Sequence, residues 1–305
     1  MNKKLGAHLT LFATSLLFGA NYWIAKGLMP EYFQPLQVIF LRVLGAMMLF
    51  WLLQIFTPKE KVKRKDLILI AFSSALGVAV NQMMFFEGLS LTTPVDTSII
   101  HSSSPLLVLV FAALIAHEKL TITKLSGILL GAAGTILLVT YGERVSFNAD
   151  SFRGDIFILI NISAYSMYLV LIKPVMARYK PVTVMKWVFL FGFLCVLPFS
   201  VWRIPDINWQ NIDTYGLFSL LYVIIGTTFL AYLLTIHALR YVEASIAGFY
   251  IYLQPIFAAI IGIWLFDEVL TLHKIVAAAL VFAGVYVVNR KPSNLKPKGK
   301  KGNWL

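Results

Sequence analysis

Cysteine is nearly missing from this chain. Cys195 stands alone in an apolar run, so no disulfide can form within the chain. Charge is scarce as well, at 13% of residues, and acidic groups are fewest, 14 against 26 Lys and Arg. There are five histidines, and none belongs to a His-Glu-x-x-His pair. Gly-x-Ser-x-Gly and a glycine-rich phosphate loop are also lacking. These absences remove disulfide-stapled scaffolds, zinc peptidases, serine hydrolases and nucleotide hydrolases. A membrane-embedded enzyme is left without its usual cluster of carboxylates or nucleophile with base. No polar stretch between apolar runs is large enough to be a water-soluble domain.

What the chain has is apolar length. Hydrophobic residues make up 59%, and runs of about 18 to 24 residues recur throughout, each long enough to cross a hydrocarbon core of about 30 Å. Lipid is the expected solvent. The fold class expected is an all-α integral membrane protein with ten transmembrane helices. The spans fall at 6–26, 36–56, 67–90, 95–115 and 125–141, then at 154–172, 182–201, 215–238, 244–265 and 272–289. The first run is too long for a signal-peptide core and has no clear small-residue cleavage site, so it is expected to be retained. The longest hydrophilic loop, 142–153, separates two sets of five. The organisation is thus residues 1–145, residues 146–290, and a basic tail at 291–305.

The two halves are copies. The stretch from Glu87 to Val139 returns as His237 to Asn289, shifted by 150 positions without a gap. Pro105 matches Pro255, Glu118 matches Glu268, Leu120-Thr121 matches Leu270-Thr271, and Lys124 matches Lys274. Five helices is an odd number, so the copies face opposite sides of the membrane. Inverted repeats are the build of many secondary transporters, with the substrate site between the halves near the midplane.

Charge sets the orientation. With both termini cytoplasmic, Lys3, Lys4, the run from Lys59 to Lys65, Lys119, Lys124, Lys173, Arg178, Lys180, Arg240 and the tail cations all lie inside. Only Lys26, Arg144, Arg153, Arg203 and Lys274 lie outside. That bias is the one membrane insertion imposes, and it identifies a multi-pass protein of the bacterial inner membrane. The net charge of +12 then reports topology and anionic headgroups. A nucleic-acid partner is not expected, because no aromatic platform or folded module accompanies the Lys-rich tail.

The motif Glu118-x-Leu-Thr-x-x-Lys-x-x-Gly-x-x-Leu-x-x-Ala-Gly and its copy from Glu268 resemble the drug/metabolite transporter superfamily, of the type with two EamA domains. Gly88-Leu89 and Ala238-Leu239, the prolines of spans four and nine, and Arg42 in span two also fit. The resemblance covers nearly the whole chain. It implies a carrier of amino acids, other small metabolites, nucleotide sugars or drugs, often moved outward, with no metal and no organic cofactor. It further implies a central cavity lined by spans one, three, four, six, eight and nine, with spans five and ten at the periphery.

Site candidates are the polar residues inside spans, since their burial in lipid is costly. They are Asn21, Arg42, Asn81, His101, Ser102, Ser104, Thr227 and Gln254, with Trp23, Tyr165, Tyr168 and Tyr250 as aromatic lining. The aromatics could equally face lipid or pack. His101, Glu87 and Asp96 are the coupling or gate candidates. His101 either relays a proton or is a neutral ring bonded to a neighbour. Arg42 either receives a substrate carboxylate or pairs with Glu87 or Asp96. Pro105 and Pro255 read as kinks inside spans four and nine, each freeing the carbonyl four residues earlier. Thr121 and Glu118 read as caps for the start of span five, and Thr271 and Glu268 for span ten. Gly127, Gly131 and Gly134 permit close helix contacts within or between chains, the latter as a homodimer.

Overall fold

The computed structural model describes residues 3–28, 31–91, 100, 101, 103–140, 149–265 and 272–289. Asp96, Ser102, Glu268, Thr271 and the basic tail lie outside the described residues, as do the side chains of Trp23 and Pro255. All regular structure among the described residues is helical. The α-helices are α1 (Lys3–Leu28), α2 (Pro35–Ile55), α3 (Arg64–Ser74), α4 (Asn81–Leu91), α5 (Ser104–Ala116), α6 (Ile122–Thr140) and α7 (Ala149–Met176). They continue with α8 (Pro181–Ser200), α9 (Thr214–Leu221), α10 (Ala231–Leu239), α11 (Ala244–Phe249), α12 (Leu253–Leu265) and α13 (Leu272–Asn289). A π-helical segment, Ala75–Val80, joins α3 to α4, and another, Tyr222–Leu230, joins α9 to α10. Five helical stretches are long and apolar enough to cross a membrane: Pro35–Ile55, Arg64–Gly88, Phe152–Met176, Pro181–Arg203 and Thr214–Leu239. Shorter apolar helices accompany them.

Local chemistry sets the helix starts. Pro35 opens α2, where a missing N–H costs nothing, and Gln37 accepts the Gln34 N–H at 2.7 Å. Asp213 caps α9 by accepting the Gly216 N–H at 2.8 Å. Thr121 caps α6 by accepting the Lys124 N–H at 3.2 Å. α5 ends at His117, whose φ of 51° is left-handed. The Glu118 N–H then returns to the Ala112 carbonyl at 3.0 Å, closing the helix in the Schellman manner.

Pro105 and Pro255 do not kink continuous helices. Pro105 is in the first turn of α5, which begins at Ser104. Pro255 is in the first turn of α12, after a 3-10 turn at Tyr250–Tyr252. Proline is disfavoured inside a helix but fits a helix start, so the break falls before it rather than at it. Each break is reached by a serine of the other half. Ser15 donates to the Tyr250 carbonyl at 2.8 Å, and Ser166 to the Ser104 carbonyl at 3.4 Å.

Packing follows the repeat. The α3–α4 rod packs chiefly on α7, and α9–α10 packs chiefly on α1. α5 also packs on α7, and α12 on α1. Two crossed sets result: α3, α4, α5 and α7 in one, and α9, α10, α12 and α1 in the other, with α11 continuing into α12 through the 3-10 turn and packing across onto α5 and α7. Each set mixes helices from both sequence halves. α2 against α8 and α6 against α13 close the sides.

The α6–α13 pair shows the symmetry directly. A Cβ on Gly127 would sit 2.9 Å from the Gly284 carbonyl, and one on Gly134 would sit 2.7 Å from the Ala277 carbonyl. Shifting Gly127 by 150 gives Ala277, and shifting Gly134 gives Gly284, so the contact maps onto itself with the helices antiparallel. The small residues of α6 are therefore consumed within the chain. Close backbone approach is what drives helix association where lipid is as apolar as leucine. Outward faces carry exposed apolar side chains such as Ile55 at 72% and Trp264 at 85%.

Replacing Gly134 by alanine is expected to destabilise the protein by about 1–3 kcal/mol through overpacking against backbone. A thermal melt in detergent measures it, and an unchanged midpoint would show that α6 and α13 do not pack this way.

Candidate functional site

The buried polar groups form a chain across the bundle. The Arg42 guanidinium, 7% exposed, donates through Nε to Thr228 Oγ1 and through Nη1 to Gln82 Oε1, both at 3.0 Å. Gln82 Nε2 donates to the Tyr232 hydroxyl and to Asn81 Oδ1, each at 3.3 Å. Tyr232 in turn donates to the Gly77 carbonyl at 3.3 Å. That carbonyl is available because the π-helical turn diverts the Asn81 N–H to Leu76 and Val78. Asn161 donates to the Asn81 carbonyl at 2.6 Å, and Asn81 donates back to the Asn161 carbonyl at 3.4 Å. Asn161 Oδ1 is left to accept, so His101 donates to it from Nε2 at 3.0 Å. His101 also stacks on Phe85, with ring centroids 5.6 Å apart.

The expected pairing of Arg42 with Glu87 is not formed, and Asp96 lies outside the described residues. Arg42 has no carboxylate within salt-bridge range among the described residues; its partners are the neutral Thr228 and Gln82. Glu87 is exposed at the end of α4, outside the buried network. Gln82 and Tyr232 were not among the sequence candidates. The signal that points to them is the repeat itself, because they stand 150 positions apart and touch.

A cavity of ≈ 20 Å³, room for about one water, lies nearer the Glu118 end of the bundle. Leu11, Thr14, Ser15 and Phe18 of α1 line it, with Tyr165 and Leu169 of α7, Thr235 of α10, Ala247 of α11, and Tyr250, Ile251 and Gln254. Of the sequence candidates, Tyr165, Tyr250 and Gln254 meet here. The lining offers hydroxyls, an amide, aromatic faces and apolar surface, with no carboxylate, histidine or cation. Below it His8 Nδ1 meets the Tyr250 hydroxyl at 2.9 Å. The other candidates lie elsewhere. Tyr168 is packed against Gly77, its hydroxyl buried without a hydrogen-bond partner. Thr227 is spent on the Val223 carbonyl at 3.0 Å. Ser104 opens α5, and the Asn21 side-chain oxygen is buried without a partner.

Glu118 does not cap α6. Its carboxylate accepts the Ala244 N–H at 3.1 Å and the Ser245 hydroxyl at 2.8 Å, so it caps α11. It also pairs with Lys173 of α7 at 2.9 Å and with Lys124 at 3.6 Å. Lys124 is shared with Glu243. Burial pushes the Glu118 carboxyl up, but the Lys173 hydrogen bond and charge, then Ser245 and Lys124, outweigh it and hold it below the usual carboxylate range.

Two outcomes follow from these contacts. Gln82→Leu strips Arg42 of an acceptor and Tyr232 of a donor, and is expected to cost about 1–3 kcal/mol; Gln82→Glu keeps the acceptor and should melt higher than Gln82→Leu. For Glu118, a depressed folded-state value means stability is present above the ordinary carboxylate value and is lost as pH falls through the depressed one. Melting temperature should therefore drop below about pH 4.5, and Glu118→Gln should flatten that limb; an identical acid limb in the variant would remove Glu118 as its source.

The pattern of the EamA-like transporter family matches residues 5–140 and 152–290. An uncharacterized transporter of Archaeoglobus fulgidus is 25% identical over 299 residues, covering 95% of this chain and 99% of its own. The Bacillus subtilis uncharacterized transporter YetK is 23% identical, covering 94% and 88%. A chloroplastic WAT1-related protein of Arabidopsis thaliana is 26% identical over 234 residues, covering 73% and 56%. One solved crystal structure superposes with a TM-score of 0.78 over 92% of this chain and 97% of its own; at 17% identity it bears on the fold alone. One family pattern thus matches each half in turn, and this multi-pass membrane protein belongs to the EamA-like transporter family.

Proposed function

We propose that this protein is a ten-span secondary transporter of the bacterial inner membrane, working by alternating access and exporting small amphipathic metabolites such as amino acids. The observation that carries the reading is the cavity between the two crossed helix sets. Helices from both halves line it, and interrupted helices border it, as in carriers whose site lies at a repeat interface. Its lining suits a ligand with one polar end and one apolar or aromatic end. The cytoplasmic placing of both termini rests on the basic bias of the loops. It puts Glu118 at the cytoplasmic end and Asp213 at the outer end.

An uncoupled facilitator is the second reading, favoured by a cavity wall that holds no carboxylate, histidine or cation among the described residues. Proton coupling would instead run through His101, Glu87 or Asp96. His101 is tied to Asn161 and stands apart from the cavity, so a proton there would act through the Asn161–Asn81 clamp.

Flux of labelled amino acids and related metabolites into proteoliposomes, with and without a pH gradient, tests both readings. Saturable movement of an amphipathic compound is expected, and Gln254→Ala or Tyr165→Ala should lower it by roughly tenfold. Movement indifferent to the gradient establishes a facilitator. Gradient-dependent movement makes His101→Ala decisive: full flux with an unaltered pH profile takes His101 out of the mechanism. No movement of any amino acid sinks that substrate class.

A further inference from the structure

The polar contacts sort by which helices they join. Most lie within one of the two crossed sets. Asn81 with Asn161 and His101 with Asn161 join α4, the residues before α5, and α7. Ser15 and His8 with Tyr250 join α1 to the turn before α12. At the two ends a tyrosine closes each set. Tyr179 donates to Asp66 at 2.7 Å and accepts the Lys63 N–H at 3.1 Å, at the start of α3. Tyr32 lies over Gly216, whose N–H Asp213 caps, at the start of α9. Shifting 63 and 66 by 150 gives 213 and 216, so both clasps read the same two positions of the repeat.

Among the described residues, two groups of these polar contacts tie one set to the other. One is central, where Gln82 meets Tyr232 and Arg42 bridges Gln82 to Thr228. Gln82 and Tyr232 are repeat equivalents, so this tie sits on the symmetry axis, where a rocking motion displaces least. The other is at the rim. Glu118 and Lys173 belong with the α5–α7 set, and Ala244 and Ser245 begin α11, which continues into α12 of the other set. α5 and α11 touch beside it, where a Cβ on Gly248 would sit 2.8 Å from Val108.

The repeat does not supply the same tie at the opposite rim. Shifting Ala244 and Ser245 back by 150 gives Pro94 and Val95. Proline has no N–H and valine no hydroxyl, so the sequence does not repeat the two donors.

From this we infer that Glu118 is a gating residue: its carboxylate latches the two helix sets together at its own end of the bundle, and transport requires that latch to open. The latch rests on the transporter reading for its purpose but not for its test. In this structure the latch is made, so the protein is held together at the Glu118 end.

The test is side-specific access to the cavity. Thr14 lines it, so Thr14→Cys in a Cys195→Ser background places one thiol there. Membrane-impermeant thiol reagent is applied to the full-length protein in right-side-out and inverted vesicles. Adding Glu118→Gln should raise the labelling rate from the Glu118 face by roughly tenfold or more, the weight of charge-assisted hydrogen bonds. Ser245→Ala, which leaves every charge in place, should raise it by a smaller factor. Labelling from the other face should fall or stay level. If Glu118→Gln does not fold, Ser245→Ala and Lys173→Gln decide. Unchanged labelling from the Glu118 face in the folded variants overturns the latch, whatever the flux assay returns. Raised labelling without flux of any tested substrate keeps the latch and counts against the substrate class alone.

Discussion

Gln82 and Tyr232 occupy the same place in the two copies of the repeat, and they touch. A contact between equivalent residues can only lie on the axis that relates the copies. The antiparallel α6–α13 pair, in which Gly127 faces Gly284 as Gly134 faces Ala277, lies on the same axis. Everything else is placed around these two contacts. Each half gives its third and fourth rods to one side and receives the first rod of the other half. The halves are therefore interlocked, and neither crossed set could assemble from one sequence half alone.

Interlocking explains why the broken helices survive. A backbone group left unpaired in lipid costs several kcal/mol, so an interruption persists only where protein satisfies it. The π-helical turns at Ala75–Val80 and Tyr222–Leu230 overlap when shifted by 150. In the first of them the spare Gly77 carbonyl is taken by Tyr232 of the other half. Ser15 and Ser166 do the same for the breaks ahead of Pro255 and Pro105. Each irregularity is local in sequence, but its partner is long-range. A single-helix change at any of these places would orphan a group on a different helix.

That division also governs what could be read from residues alone. Apolar length and the 150-residue shift locate the rods, because both are local or periodic properties. The observed α13 coincides with the expected 272–289, and α2 begins one residue before the expected 36. Tyr165, Tyr250 and Gln254 meet at one cavity because polar and amphipathic groups in a span must face inward. The partners of Arg42 and Glu118 were not legible. Arg42 looks for a counter-ion, with Glu87 and Asp96 as the expected acids, yet its acceptors among the described residues are Gln82 and Thr228. Glu118 stands beside the start of α6, yet the N–H and hydroxyl it satisfies belong to α11, more than a hundred residues later. Neither choice follows from helical periodicity; both follow from the crossing of the halves. Pro105 was legible as an interruption but not as a helix start, since the chain ahead of it carries no glycine to mark the break.

A carrier must hold its two access states within a few kcal/mol of each other, or one of them is never populated. The Glu118 cluster looks at first too strong for that: one carboxylate, two lysines, a backbone N–H and a hydroxyl. Partial burial resolves this. Taking a carboxylate and an ammonium out of water costs several kcal/mol each, and their attraction in the folded state repays little more than that. Lys173 is 27% exposed on its side chain and Lys124 is 12%, against 7% for Glu118, so water can replace the protein partners as the rim parts. An apolar rim of equal area would have no such exchange: parting it exposes dry surface with nothing to offset the loss. An ionic rim is thus specific in geometry and shallow in energy, and it biases a scaffold between its two states without locking it in either.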